Sequence, residues 1–403
     1  MFQEEQLFFP NTYITFNITT SAGLKFTFKD NNNNILKSSV NKFLQESGLS
    51  SQGYEFQTAL FQGNKLDLKK TLFDNKINQG SNVLFIIRFN PSRNKNNENK
   101  ISFHQITLSG IDLNGKIKTN QDVTLIKLNI GGILGFNLFG VLDGHGQYGH
   151  FVAQFCRDYF IKKMEEYAYL CKMQNIFTPE QIYNSLKNEV FTYIINIFKF
   201  ADIEMTQQSK FDYYSSGTTC NLVIQLNKNI ICANVGNSRG IIIYEKNSKK
   251  NTGVCPISRD HTPEIPQEYE RIISNGGTVD QYIDKNGMKL GYYRIYKSGL
   301  KTPGIRISRA LGDLNAKSCG VINIPEIIEY NLNNNSKYMV ICSDGIWEVM
   351  SNEYVRDLGN IYYKKGQIVP YCNQLTQMAI LNWKNKYSDY RDDIAIVCVY
   401  FNA

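Results

Sequence analysis

The most constraining stretch of this chain is Phe139–His150, FGVLDGHGQYGH, where an apolar run meets an acid, three glycines and two histidines. Gly132–Leu142 is short, apolar and bounded by turn residues, so it reads as a buried strand with Asp143 at its open end. A carboxylate there, followed by Gly144 whose backbone can approach a ligand closely, suits a hard cation that takes oxygen donors. His145 adds a group that moves protons near neutral pH. Asp-Gly is also among the commonest turn dipeptides, so taken alone the stretch reads equally as a plain strand-to-helix turn.

Acids recur at strand ends in Lys337–Trp347 (KYMVICSDGIW) and Arg391–Tyr400 (RDDIAIVCVY), around Ser216–Cys220 (SGTTC) and Ser308–Asp313 (SRALGD). In this order the blocks resemble the metal-dependent serine/threonine protein phosphatases of type 2C, from about Ile101 to Ala403. The resemblance implies an α+β fold, an α-β-β-α sandwich of two antiparallel sheets flanked by helices. It implies an enzyme that hydrolyses phosphoserine and phosphothreonine in protein substrates by direct attack of a metal-bridging water. Asp143, the carbonyl of Gly144, Asp344 and Asp392 would be the metal ligands, with Gln121 reaching the metals through water. Such hard donors favour two Mg²⁺ or Mn²⁺ ions over zinc, about 3.5–4 Å apart in sites of this type. Asp392, and not the adjacent Asp393, aligns with the family ligand. His145 would be the general acid for the departing Ser or Thr oxygen, and Asp122 an acid bonded to metal-bound water.

The chain departs from the family pattern at two places. Ile117 stands where many relatives carry a phosphate-binding arginine; the adjacent Lys118 can supply a point charge to substrate but not a bidentate contact. GNSR, Gly236–Arg239, puts Asn237 where relatives have an acid that helps hold a third metal, so that third site is expected to be weak or missing. A second reading follows from these departures, a feebly active or inactive phosphatase-fold scaffold that binds partners through a ubiquitin-like domain at residues 12–89. The intact Asp143, Gly144, His145, Asp344 and Asp392 favour the enzyme.

Several further segments carry structural expectations. Phe151–Lys172 has the spacing of a core-facing helix, and a second helix opens at Thr178-Pro179 with Ile182, Leu186, Val190 and Ile194 as its buried stripe. Gly217–Leu226 and Asn229–Val235 read as strands joined by Asn227-Lys228, with the SGTTC hydroxyls serving backbone groups. His261, two residues before Pro263 in DHTP, reads as a packed loop histidine, and Asp313 as a partner of backbone or arginine groups. Gln281–Thr302 lacks apolar periodicity and reads as a long loop, a flap over the site.

Upstream, Thr12–Thr19 and Leu24–Lys29 alternate as a hairpin, Leu36, Val40, Phe43 and Leu44 share a helical face closed by Gly48, and Phe56–Phe61, Leu66–Leu68 and Val83–Phe89 follow as strands. The order resembles ubiquitin-like β-grasp domains, over residues 12–89, and implies a docking or regulatory module with a protein partner. The same strands could instead extend the phosphatase core. Residues 90–100, including the apolar-free PSRNKNNENK, read as a linker, and 101–403 as the catalytic domain.

The net charge of +8 is thinly spread, with no dense basic block of the kind nucleic-acid arms carry. Nine cysteines, odd in number and without a Cys-x-x-Cys pair, fit reduced, buried thiols. MFQEEQLFFP lacks the basic region of a signal peptide, no apolar run reaches membrane-span length, and Phe2 excludes myristoylation. A monomeric cytoplasmic or nuclear protein that binds neither membrane nor nucleic acid is expected.

Overall fold

The computed structural model describes residues 13–20, 25–31, 34, 36–46, 54–61, 64–72, 75–77, 82–89, 101–189, 191–208, 211–246, 251–283, 289–388 and 390–401. Two compact units hold them, one containing the described residues up to Phe89, the other nearly all of those from Ile101 on.

The first unit runs β1 (Tyr13–Thr20), β2 (Lys25–Asn31), α1 (Leu36–Glu46), β3 (Tyr54–Phe61), β4 (Asn64–Lys65) and β5 (Asn82–Phe89). Its sheet has the order β2-β1-β5-β3-β4. β1 and β2 form the expected antiparallel hairpin, whereas β1 and β5 pair in parallel, Ile18 opposite Val83. Leu36, Val40 and Phe43, spaced by four and three, turn one face of α1 onto Ile18, Ala59 and Val83. The expected strand at Leu66–Leu68 is displaced to Asn64–Lys65, and Leu66 joins this core. Gly48 and the linker at 90–100 lie outside the described residues.

The second unit begins with β6 (Ile101–Leu108), β7 (Asp122–Lys127), β8 (Phe136–His145), α2 (Gly149–Met173), α3 (Pro179–Asn188) and α4 (Thr192–Gln208). It continues through β9 (Gly217–Thr218), β10 (Cys220–Leu226), β11 (Asn229–Val235), β12 (Arg239–Glu245), β13 (Thr252–Pro256), α5 (Pro266–Ser274), β14 (Gly277–Ile283), β15 (Lys289–Lys297) and β16 (Pro303–Ile305). β17 (Leu311–Gly312), α6 (Leu314–Lys317), β18 (Glu326–Asn331), β19 (Ser336–Cys342), α7 (Asp344–Trp347), α8 (Asn352–Tyr363), α9 (Ile368–Tyr387) and β20 (Ile394–Phe401) complete it.

One sheet has the order β17-β9-β8-β10-β11-β18 with β7 also on β8; another has β13-β12-β19-β20-β6. Their ladders are antiparallel. Phe139, Val141 and Val223 of the first pack against Ile341, Val397 and Val399 of the second. α2 covers the outer side of β7, β8 and β9, and α9 lays Tyr371, Leu375 and Trp383 on Tyr338 and Val340 of the other sheet. Strands enclosed on both faces need no polar alternation, which is why β10 and β20 are buried at every residue. None of the described helices is long and apolar enough to cross a membrane.

Four expectations are corrected. The strand read at 132–142 starts at Phe136 and runs through Asp143 to His145, because Gly144 and His145 pair with Thr218 and Gly217. The helix after Pro179 ends at Asn188; Phe191 has a φ of 56°, a left-handed kink, and Ile194 belongs to α4. Val190 lies outside the described residues. The strand read at 217–226 divides at Thr219, where β9 serves the end of β8 and β10 its middle. Within 281–302, part of β14 and all of β15 form a hairpin, extended by β16 into a small sheet. Its alternation is hard to read because only one face, with Val279 opposite Ile295, meets apolar neighbours. All nine cysteines are free, eight buried and Cys255 half-buried.

Candidate active site

Backbone geometry fixes the central loop. β7 and β8 pair Asp122 with Asp143. The N–H of Asp143 donates to Thr219 Oγ1 (3.0 Å), and its carbonyl accepts from Thr219 N (2.9 Å). Gly144 has no room for a side chain: a Cβ would lie 2.5 Å from Gly149 O and 2.7 Å from Gln121 O. The SGTTC hydroxyls serve the backbone, as expected, with Ser216 Oγ accepting from Tyr148 N (3.0 Å).

The other acids arrive from the facing sheet. Asp344 follows β19 and opens α7. The preceding Ser343 donates its hydroxyl to Asp122 Oδ2 (2.6 Å) and accepts from Ala395 N (2.9 Å), which ties the two sheets together beneath the acids. Asp393 spends its carboxylate on the N–H groups of Gly110 and Gln121. Asp392 accepts from Lys118 Nζ (2.6 Å) and from Tyr390 OH (3.3 Å).

Lys118, Gln121, Asp143, Gly144, His145, Asp344 and Asp392 thus line one pocket of about 520 Å³. Asp122 lies just beneath it, 5% exposed. Burial raises the pKa of Asp143 well above the carboxylate range, and Asp344, Asp122 and Asp392 add to the rise. Burial does the same to Asp122, joined by Asp393, Asp392 and Asp344. Asp344 is pushed up to about 7, first by burial and then by Asp392 and Glu348, against the opposing pull of Arg306 and Asn237.

Acids crowded in this way are relieved by a divalent cation, and an oxygen-only donor set suits Mg²⁺ or Mn²⁺. Among the described residues no cluster of three His, Cys, Asp or Glu side chains forms a ready metal cage.

Four placements add to the sequence reading. Asp313, expected to meet backbone or arginine groups, accepts from His145 Nε2 at 2.6 Å. Burial opposes protonation of His145, but the charge and hydrogen bond of Asp313 outweigh it and raise the pKa. Gly217 makes this contact possible, since a Cβ there would lie 2.1 Å from Asp313 Oδ2. Lys118, the expected substrate cation, is paired with Asp392, and Ile117 is 79% exposed. Asn237 donates to Asp344 Oδ2 at 2.9 Å, and Gln121 braces the loop by donating to Gly146 O at 2.7 Å.

His261 is packed and lies outside the pocket, its Nε2 3.7 Å from Glu326. The sequence reading missed Arg294 and Arg306, which line the pocket from the segment read as a loop and the residues after it. The only local signal was their charge, which nothing in the periodicity aimed at the site.

Fold and site together define a class: hydrolases that gather carboxylates from the ends of two facing sheets around divalent cations. Residues 112–379 match the family described as Protein phosphatase 2C. The chain is 29% identical over 301 residues to "Probable protein phosphatase 2C 73" of Arabidopsis thaliana, covering 72% of this chain and 77% of that one. It is 27% identical over 296 residues to "Probable protein phosphatase 2C 34" of the same plant, covering 72% and 79%. The solved serine-threonine phosphatase 2C from Toxoplasma gondii shares the fold, with a TM-score of 0.62 and 21% identity over 75% of this chain and 95% of that one. The chain belongs to the protein phosphatase 2C family and is a metal-dependent serine/threonine protein phosphatase.

Proposed function

We propose that the pocket hydrolyses phosphoserine and phosphothreonine in proteins by direct attack of water, without a phosphoenzyme. The observation that carries this is the convergence of Asp143, Gly144, His145, Asp344 and Asp392, distant in sequence, on one acid-lined cavity. Asp143, the Gly144 carbonyl, Asp344 and Asp392 would hold Mg²⁺ or Mn²⁺, with Asp122 and Gln121 behind them. Two such cations, when bound, acidify water and neutralise phosphate oxygens.

This chain's own residues supply the rest. His145, whose protonated form Asp313 favours, gives its proton to the departing Ser or Thr oxygen. The nearby hydroxyls of Ser216 and Thr219 are held against backbone N–H groups, which supports water as the nucleophile.

The first unit is proposed as a ubiquitin-like docking module, supported by the parallel β1–β5 pair and the helix that follows β2. The buried thiols support a cytoplasmic or nuclear setting. The scaffold reading is favoured by one contact, Lys118 on Asp392, which engages a carboxylate that catalysis would need.

Hydrolysis of a phosphothreonine peptide with and without Mn²⁺, in the wild type and in Asp143→Ala, separates the two. Turnover that needs the metal and vanishes in the variant supports the enzyme. Equal inactivity of both proteins would overturn it in favour of the scaffold.

A further inference from the structure

Three lysine or arginine side chains line the acidic pocket, and two of them are already neutralised. Lys118 pairs with Asp392 at 2.6 Å and approaches Asp393 at 4.0 Å. Arg306 is bound to Glu348 and lies 3.9 Å from Asp344. Arg294 differs: among the described residues it forms no ion pair, and its one hydrogen bond runs from Nη1 to the carbonyl of Gly304 (2.7 Å). Asp280 stands opposite it in the β14–β15 register, and Asp280 Oδ1 accepts from Gln281 N.

A guanidinium offers five donors in a rigid fork, so most of that fork is left for something else. Burial lowers the Arg294 pKa, and the neighbouring Arg306 lowers it further, against the opposing pull of Tyr296, Tyr390 and Glu348. An anion entering the pocket would relieve both effects.

On the reading of the pocket as a phosphoester hydrolase, we propose that Arg294 binds the substrate phosphate, the contact that the solvent-facing Ile117 does not provide. The position suits the role. Arg294 is carried by a paired strand, and Ile295 beside it is fully buried against Ile272 and Ile307, which anchors the strand. The hairpin read from sequence as a flap therefore holds part of the anion site, and phosphate recognition passes from a residue just before β7 to one on β15.

The test uses the full chain with Mn²⁺ and measures two constants, KM for a phosphothreonine peptide and Ki for inorganic phosphate. Arg294→Gln keeps a donor for Gly304 O and loses the charge; Arg294→Ala loses both. Both are assayed below their melting temperatures. If Arg294 meets the phosphate, both variants raise Ki and KM by about 10- to 100-fold, as expected for loss of a charge-assisted bond, while kcat changes far less. If Arg294 serves only to hold Gly304, Arg294→Gln behaves as wild type and only Arg294→Ala is impaired; that result overturns the proposal and leaves the enzymatic reading standing. Should the wild type show no metal-dependent turnover, the enzymatic reading falls. Calorimetric titration with inorganic phosphate then decides: weaker binding in both variants supports the anion site, and equal binding overturns it.

Discussion

Glu268, in α5 and 2% exposed, holds together the segment that leads to Asp313. It accepts from Arg271 (2.9 and 2.7 Å), from Arg309 Nη2 (2.6 Å) and from Ser308 Oγ (2.6 Å). Arg271 also donates to the carbonyl of Ser308 at 2.9 Å. Replacing Glu268 by Gln keeps the shape but leaves two guanidiniums facing a neutral amide. Breaking a buried pair from one side costs about 3–5 kcal/mol. The amide oxygen still accepts, so the lower end, about 3 kcal/mol, is expected.

At about 2 °C per kcal/mol for a large domain, the melting temperature at pH 7 falls by about 6 °C. The pH dependence has a definite sign. Burial favours the neutral acid, but Arg271, Arg309 and Ser308 outweigh it and hold the carboxyl well below the ordinary glutamate range. A depressed folded pKa gives stability that is present above the unfolded value, about 4.3, and is lost as pH falls toward the folded one. Thermal melts of wild type and Glu268→Gln from neutral to acid pH should therefore converge on acidification. A variant that melts with wild type at pH 7, or a gap that widens toward acid, would refute the reasoning.

Three further outcomes follow from the site. His145→Ala should slow hydrolysis of a phosphothreonine peptide by about 10²–10⁴, but barely affect p-nitrophenyl phosphate, whose leaving group needs no proton; equal losses on both substrates would exclude the general-acid role. Asp313→Asn removes the charge that raises the His145 pKa, so the alkaline limb of the pH–rate profile should move toward acid, and an unmoved limb would contradict the pairing. Asn237→Asp exchanges a donor to Asp344 for a second acid, and calorimetry should show tighter Mn²⁺ binding or an added ion; an unchanged titration would count against that position as a ligand.

What this chain's sequence determined by itself was local. Apolar runs marked β8, β19 and β20, and the acids that close those runs or flank them marked Asp143, Asp344 and Asp392, because strand burial and chain reversal are written in neighbouring residues. The hairpin of β14 and β15 was illegible because an exposed face and scattered Tyr, Lys and Gly conceal a period of two.

Tertiary structure decided which distant groups meet. His145 and Asp313 are 168 residues apart, and Lys118 and Asp392 are 274 apart. No local pattern sets those separations; they depend on how β8, β9 and β17 are registered and on the tie from Ser343 to Asp122 across the facing sheets. The charge state follows the same division, since Asp143 and Asp344 have raised pKa values only because folding removes water and brings like charges together.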